Sequence, residues 1–387
     1  MTRSFTDEIL AWFDENARRL PWRIQINGSS AGCRRDPYAV VVSEFMLQQT
    51  QVRTVIPYYD RFMKRFPTFQ SLAKADETEV LKFWEGLGYY RRAKQLLALA
   101  RQIVSDYKGV VPQDRAELLK LPGIGPYTAG AVLSFAYNLP EAAVDGNVVR
   151  VFARLDAEPH VQGDVKAQRE VRRRVSEMMP ALRAGDFSEA LIELGATVCL
   201  PAAPACAVCP ARGFCKAWAH SMVDDFPVRA KPLPKPVSQL SYVLFFDGDR
   251  VFCRRRPDGL LAGLYEFLSF PHKIEEGEAD RIEDLLRGWM GEKGRGIDLD
   301  ISYVGKKRSV FSHRIWEISF WEVEASNMKG TDRVHDRGQL VCEGGEAEEN
   351  QGVLVTPAEL ASFPFPAFLM SWRDDFIRRT NCANDLP

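Results

Sequence analysis

Four cysteines, Cys199, Cys206, Cys209 and Cys215, fall in the spacing C-x6-C-x2-C-x5-C, with three prolines and no histidine inside the loop. Soft thiolates this close in sequence can surround one tetrahedral ion or the corners of a cubane cluster, and the spacing alone leaves zinc open. Two carboxyl groups are the next candidates. Glu44, in VSEFMLQQTQV, sits mid-helix among apolar neighbours, where ionisation is costly and its pKa should rise, leaving an acid able to donate at neutral pH. Asp145 opens VDGNVVR, which by itself reads as a turn. Between them, LPGIGPYTAG (residues 121–130) places Gly123 and Gly125 before Pro126 and an apolar run. These glycines are expected to let the backbone turn sharply and leave amide N–H groups uncovered at a helix N-terminus, where an anion is favoured. Tyr127 is the first side chain beyond them able to do chemistry, and a phenol of pKa about 10 cannot serve as an amine nucleophile.

Elements able to hold such groups are legible around them. From Thr6 to about Ala219 the apolar spacing is helical: Ile9, Leu10, Phe13, Ala17 and Leu20 make one stripe, and Leu96, Leu97, Ala100, Ile103 and Val104 another. Asp36-Pro37 reads as a cap and first helical position for YAVVVSEFMLQQT. DRAELLK, the LPGIG turn and the run after Pro126 predict a helix-hairpin-helix over 114–137. The pattern stops near 221–238, where VDDFPVRAKPLPKPVS alternates proline with charge as a linker does. Beyond it, YVLFFDGDRVFCRRR predicts two strands around an Asp-Gly turn, IEDLLRGWMGE a short helix and WEISFWEV an alternating strand. The fold class is therefore multidomain: an all-α region over 1–220, then an α+β domain over 239–380. The acidic, glycine-rich stretch 341–352 reads as an exposed loop.

Composition adds bounds. The 387 residues are 46% hydrophobic and 27% charged, enough for two or three domains with real cores. The formal net charge of -1 hides an asymmetry, with 29 Lys+Arg against 24 Asp+Glu in residues 1–220 and 22 against 28 in the remainder. A modest basic excess permits nucleic-acid binding when it is gathered on one face. No apolar run approaches a membrane span, and MTRSFTDEILAWF has neither a secretory core nor an Arg/Ser-rich transit pattern, so a cytoplasmic location is expected. The other cysteines, Cys33, Cys253, Cys342 and Cys382, are scattered, so the cluster of four suggests metal rather than disulfides.

The cysteine spacing resembles the [4Fe-4S] loop of the endonuclease III and adenine glycosylase superfamily of base-excision DNA glycosylases, here residues 199–215. That resemblance implies that the hairpin contacts a DNA phosphate through Gly123 and Gly125, that the cluster is structural, and that Asp145 is the catalytic aspartate with Asn147 orienting beside it. In members that also cut the strand, a lysine stands where Tyr127 stands, so base removal without lysine-driven strand cleavage is expected. VSEFMLQQTQV, LPWR, WEGLGYYRRA (84–93) and EALIELGATVC (189–199) are similar to the adenine glycosylase branch, over nearly all of residues 5–220.

N-glycosidic cleavage needs a proton on the leaving group and negative charge near a developing oxocarbenium ion, hence two carboxyl groups in different environments. By resemblance, Glu44 is the general acid toward adenine N7, Asp145 stabilises the cation, and Tyr127 and Asn147 position the reacting groups. The adenine must leave the stack, into a pocket that the resemblance lines with Trp22, Arg23, Glu189 and Ile192. Leu47, Gln49 and Thr50 are implied to read or wedge the gap, and Tyr89 to insert beside the partner base. The C-terminal part resembles the Nudix-related domain that recognises 8-oxoguanine, on LLAGLYEF (260–267) and on Phe311, Ser312 and His313 behind Lys306, Lys307 and Arg308. It has no Arg-Glu-x-x-Glu-Glu helix for Mg²⁺, so pyrophosphatase activity is not expected. The implied partner is double-stranded DNA carrying A:8-oxoguanine or A:G, bound by a monomer in the bacterial nucleoid. One departure is the inserted glycine- and serine-rich loop at 24–35, containing Cys33, which bears on how Arg23 meets the pocket.

Overall fold

The computed structural model describes residues 4–24, 34–161, 163–228, 233–326, 339–340 and 352–384; Cys33, Cys342 and nearly all of the acidic 341–352 stretch lie outside them. Contacts divide the chain into two compact units, one of residues 1–75 and 92–232, the other of residues 76–91 and 233–387. Among the described residues no helix is long and apolar enough to cross a membrane.

The first unit is helical: α1 (Phe5–Asn16), α2 (Pro37–Leu47), α3 (Val52–Arg65), α4 (Phe69–Ala73). After an excursion into the second unit through α5 (Glu77–Trp84), it resumes with α6 (Arg91–Tyr107), α7 (Arg115–Leu118) and α8 (Pro126–Ala131). α9 (Gly146–Asp156), α10 (Val165–Glu177), α11 (Ala184–Thr197) and α12 (Lys216–Ala219) complete it. Asp36 caps α2 by accepting from the Tyr38 N–H at 3.0 Å, and Pro37 occupies the first turn, where its missing N–H costs nothing. From Val40 to Met46 every residue of α2 is buried, so this helix runs through the interior rather than along a surface. Ile9, Leu10 and Phe13 of α1 pack with Val148 and Phe152 of α9 and with Phe187, Leu191 and Leu194 of α11 into one core.

After α8 the helix widens into a π turn over Val132–Ala136, inside the apolar run that the sequence presents as one regular helix. The stretch read as a linker from 221 is tied to the first unit as far as Val228. Arg154 donates through Nε to the Val223 and Phe226 carbonyls at 3.1 and 2.9 Å, and Val228 bridges to Val161. Proline and charge mark the stretch as loop, but its hold comes from backbone carbonyls and the buried Phe226 ring, which composition does not reveal.

The second unit is built on a mixed sheet in the order β5-β6-β1-β2-β8-β7. Its strands are β1 (Val237–Asp247), β2 (Arg250–Arg255), β3 (Tyr265–Glu266), β4 (Leu268–Phe270), β5 (Asp298–Val310), β6 (Ile315–Ser326), β7 (Gln339–Leu340) and β8 (Gly352–Val355). β1 and β2 form the hairpin expected at the Asp-Gly turn, with Asp247 opposite Arg250, whereas β1 and β6 run parallel. Strand alternation sends Val243 and Phe245 to a core with Ile282, Leu286 and Trp289 of α13 (Ala279–Met290). Tyr242 and Leu244 face the other way, onto Leu360 of α14 (Pro357–Ser362) and Phe368, Leu369 and Trp372 of α15 (Ala367–Asn384). Helices thus cover both faces of the sheet.

Candidate active site

Glu44 lies within buried α2, 5% exposed, and its Oε2 is buried with no hydrogen-bond partner among the described residues. An orphaned buried carboxyl oxygen carries a large desolvation penalty when ionised. Burial accordingly pushes its pKa up to about 7; Glu189 and Asp145 add in the same direction, and a hydrogen bond from Tyr127 and the Arg23 charge oppose it. Tyr127, half-buried in the first turn of α8, has its pKa raised well above the phenol range by burial, then by the Glu44 and Asp145 charges. It is held neutral as a donor.

Asp145 is the N-cap of α9, a helix-start signal in Asp-Gly-Asn-Val that a turn reading overlooks. Its Oδ1 accepts from the Val148 N–H at 2.9 Å and its Oδ2 from Asn147 Nδ2 at 2.8 Å. Burial raises its pKa, and these donors oppose the rise. Behind it runs a relay that leaves no local sequence pattern. Arg150 Nη2 donates to Asn147 Oδ1 at 2.7 Å and to the Gly195 carbonyl at 2.8 Å, while its Nε donates to the Cys199 carbonyl at 2.8 Å.

Of the residues expected to line a pocket, Glu189 and Arg23 join this group electrostatically. Arg23 Nε meets Glu189 Oε1 at 3.0 Å and its Nη2 meets Glu193 Oε2 at 2.9 Å; Arg35 holds Glu189 Oε2 at 2.6 Å and Arg18 holds Glu193 Oε1 at 2.5 Å. Arg23 is therefore held by two carboxylates of α11. Arg18, Arg35 and Glu193 escaped sequence reasoning, although Glu189 and Glu193 stand four apart on one helix face. Trp22 is buried with its ring edge-on to Tyr59 at 5.2 Å, and Ile192 packs on the α1/α9/α11 core.

Leu47 ends α2, and the turn after it carries Gln49 and Thr50, with Gln49 at φ 55. Arg92 shapes it: Nη1 donates to the Phe45 and Met46 carbonyls at 3.0 and 2.8 Å and also to that of Gln48, and Nη2 donates to Thr50 Oγ1 at 3.1 Å. At the hairpin, Gly123 has φ 74, and a Cβ there would lie 2.6 Å from the Phe45 ring. Gly125 differs from expectation. Its φ of -99 is open to any residue, and it caps α8 with open space around it, so it leaves the backbone uncovered rather than turning it.

Cys199, Cys206, Cys209 and Cys215 line one cavity of about 30 Å³, walled by Val151, Leu155, Leu194, Val198 and Ala211. Arg154 Nη1 reaches Cys199 Sγ at 3.3 Å. Among the described residues no three His, Cys, Asp or Glu close into a single-ion shell, but four thiols converging on one apolar cavity fit the donor set of an iron–sulfur cluster. In the second unit, Phe311–Arg314 form the turn between β5 and β6. Ser312 and His313 are exposed, with Ser312 Oγ 3.3 Å from His313 Nδ1, and Phe311 anchors the turn by packing edge-on to Trp316 at 4.9 Å. Tyr89 is 45% exposed at φ 51 within this same unit.

Comparison with known proteins bears on both units. The model of the HhH-GPD superfamily of base excision DNA repair proteins matches residues 42–177, and a NUDIX domain model matches residues 241–371. Over 356 residues the chain is 35% identical to an adenine DNA glycosylase of Mus musculus, spanning 80% of this chain and 68% of that one. An adenine DNA glycosylase of Buchnera aphidicola is 34% identical over 275 residues, 70% of this chain and 74% of the relative. Among solved structures, a thermostable thymine-DNA glycosylase aligns with a TM-score of 0.50 at 30% identity, over 56% of this chain and 95% of its own.

Proposed function

Because the chain belongs to the adenine DNA glycosylase family, we propose that it hydrolyses the N-glycosidic bond of adenine mispaired with 8-oxoguanine, and with guanine, in duplex DNA during base-excision repair. The observation that carries this reading is the buried, unpartnered Oε2 of Glu44 in electrostatic range of Asp145, Tyr127 and Glu189. With its pKa near 7 the acid is poised to give a proton to a base nitrogen and to take one back from water.

Protonated Glu44 donates to N7 of the flipped adenine, and the C1′–N9 bond breaks with its electron pair leaving on the purine. Ionised Asp145, oriented by Asn147 and the Val148 N–H, faces the cation left on the sugar. Water then adds its oxygen to C1′ while Glu44 accepts its proton, which restores the acid. Tyr127 donates toward Glu44 and offers no amine, so no Schiff base forms and the strand stays intact. Trp22, Arg23, Glu189 and Ile192 would enclose the base, Leu47, Gln49 and Thr50 would fill or read the vacated stack, and the backbone around Gly123 and Gly125 would take a phosphate. Ser312, with Phe311 and His313, would meet the 8-oxoguanine.

A [4Fe-4S] cluster would be held by Cys199, Cys206, Cys209 and Cys215, where it supplies a cross-link rather than glycosidic chemistry. Iron and sulfide analysis of the purified protein should give about four of each per chain; stoichiometric zinc instead would refute the cluster. The function is tested by single-turnover incubation with an A:8-oxoguanine duplex, assayed for free adenine and, without alkali or heat, for strand breaks. Adenine release with an intact strand, lost in Glu44→Gln, is the expected result. Immediate scission would refute the reading of Tyr127.

A further inference from the structure

The loop Gly86–Tyr89 follows α5 and is unusual in its backbone: Gly86, Gly88 and Tyr89 all have positive φ, at 92, 75 and 51. For tyrosine that conformation is unfavourable and persists only where the surroundings impose it. Trp84 Nε1 holds the loop locally by donating to the Gly88 carbonyl at 3.2 Å, and further contacts come from the far end of the chain. Glu85 and Arg373 have side chains 8% and 6% exposed, and Arg373 Nη1 meets Glu85 Oε1 at 2.5 Å. The same oxygen accepts from the Phe365 N–H at 2.7 Å, and Lys82 Nζ binds Oε2 at 2.9 Å. Arg373 Nη1 also donates to the Phe363 carbonyl, at 3.2 Å. Tyr90 closes the loop, receiving the Gly86 N–H on its hydroxyl at 3.1 Å and donating to the Phe365 carbonyl at 3.4 Å.

A buried ion pair is a poor source of stability compared with packed apolar residues, but separating its partners leaves a buried charge uncompensated, which resists movement of the segments that carry them. Here it sits directly before a loop whose local sequence leaves the backbone open. Tyr89 is the exposed aromatic of that loop, in the same compact unit as Ser312. We propose that Glu85 and Arg373 are positioning residues that fasten the Gly86–Tyr89 loop to the lesion-reading unit, so that Tyr89 serves recognition of the base opposite adenine and not base removal. The inference rests on the assignment of lesion reading to Ser312.

The test uses full-length protein and the ratio of single-turnover excision efficiencies on A:8-oxoguanine and A:G duplexes. Glu85→Gln and Arg373→Met should each lower that ratio on the order of tenfold, with the rate at saturating enzyme on A:8-oxoguanine unchanged. Tyr89→Ala should lower it comparably, and Glu85→Gln with Tyr89→Ala should be no worse than Tyr89→Ala alone. Losses that add would show that Glu85 acts elsewhere, and an unchanged ratio in both charge variants would likewise overturn the proposal. If Arg373→Met loses its cooperative melt, Arg373→Lys, which keeps the charge without the planar fork, carries the same comparison. A Ser312→Ala protein with an unaltered ratio would refute the lesion-reading assignment. A ratio sensitive to Ser312 but not to Glu85 or Arg373 overturns the present inference alone.

Discussion

A carboxyl group that must surrender a proton at neutral pH is costly to keep, and Glu44 shows the cost as well as the use. Its folded pKa of about 7 lies above its ordinary 4.5. Its contribution to stability is therefore intact below pH 4.5 and is lost as pH rises through 7, because the unfolded chain ionises first. The shift corresponds to about 3 kcal/mol. Glu44→Gln should thus be the more stable protein in urea at pH 8, by about 3 kcal/mol, with the gap shrinking to under about 1 kcal/mol at pH 5. Equal gaps at both values would show that the carboxyl ionises freely. Activity should run the other way: kcat/KM is expected to fall above about pH 7 as Glu44 loses its proton, and at low pH as Asp145, raised above its ordinary range by burial, gains one. The two groups interact, so the limbs of the profile belong to the pair. The Glu44→Gln enzyme should lose roughly 10²–10⁴-fold in rate while still binding the mispaired duplex in a gel-shift assay.

The elements that carry these groups are held by close approach as much as by caps. Gly195 on α11 touches the start of α9 so tightly that a Cβ there would lie 2.6 Å from Asn147 Cβ and 3.0 Å from its carbonyl oxygen. Gly195→Ala is expected to push Asn147 away from Asp145 and to lower single-turnover rate by roughly 10²-fold, as a misplacement near 1 Å can do, with DNA affinity nearly unchanged. A wild-type rate would mean that α9 can slide without cost. Arg92 acts on a different helix end, binding the last carbonyls of α2 and Thr50 Oγ1. Arg92→Met should disturb the Gln48–Thr50 turn and raise KM for duplex more than it lowers kcat. Glu44, Asp145, Tyr127 and the four cysteines stand out as candidates in the sequence because short motifs, and the resemblance those motifs carry, single them out. Gly195, Arg92 and Arg150 do not, since their work is to meet backbone carbonyls or a neighbouring helix, and neither leaves a local pattern.

At the scale of the molecule, an all-α part followed by an α+β part was readable from hydrophobic period, the first running at the helical repeat and the second alternating along strands. The membership of residues 76–91 was not. Their helix has an ordinary amphipathic pattern, and nothing in it announces that Glu85 will find Arg373, 288 positions away. A fragment ending at residue 232 should consequently be less soluble and melt less cooperatively than the whole chain, since α5 would lack the Phe363–Arg373 contacts that complete its unit; addition of residues 233–387 should restore cooperativity if the two pieces reassemble. The discontinuity also sets an order of events at the ribosome. At about 5–20 residues per second, the segment around Glu85 must wait roughly 15–60 s before Arg373 has been made. Until then the Glu85 carboxylate lacks the guanidinium and the Phe365 N–H that it meets in the finished fold, and a substitution in the last helix would strike a loop translated long before it.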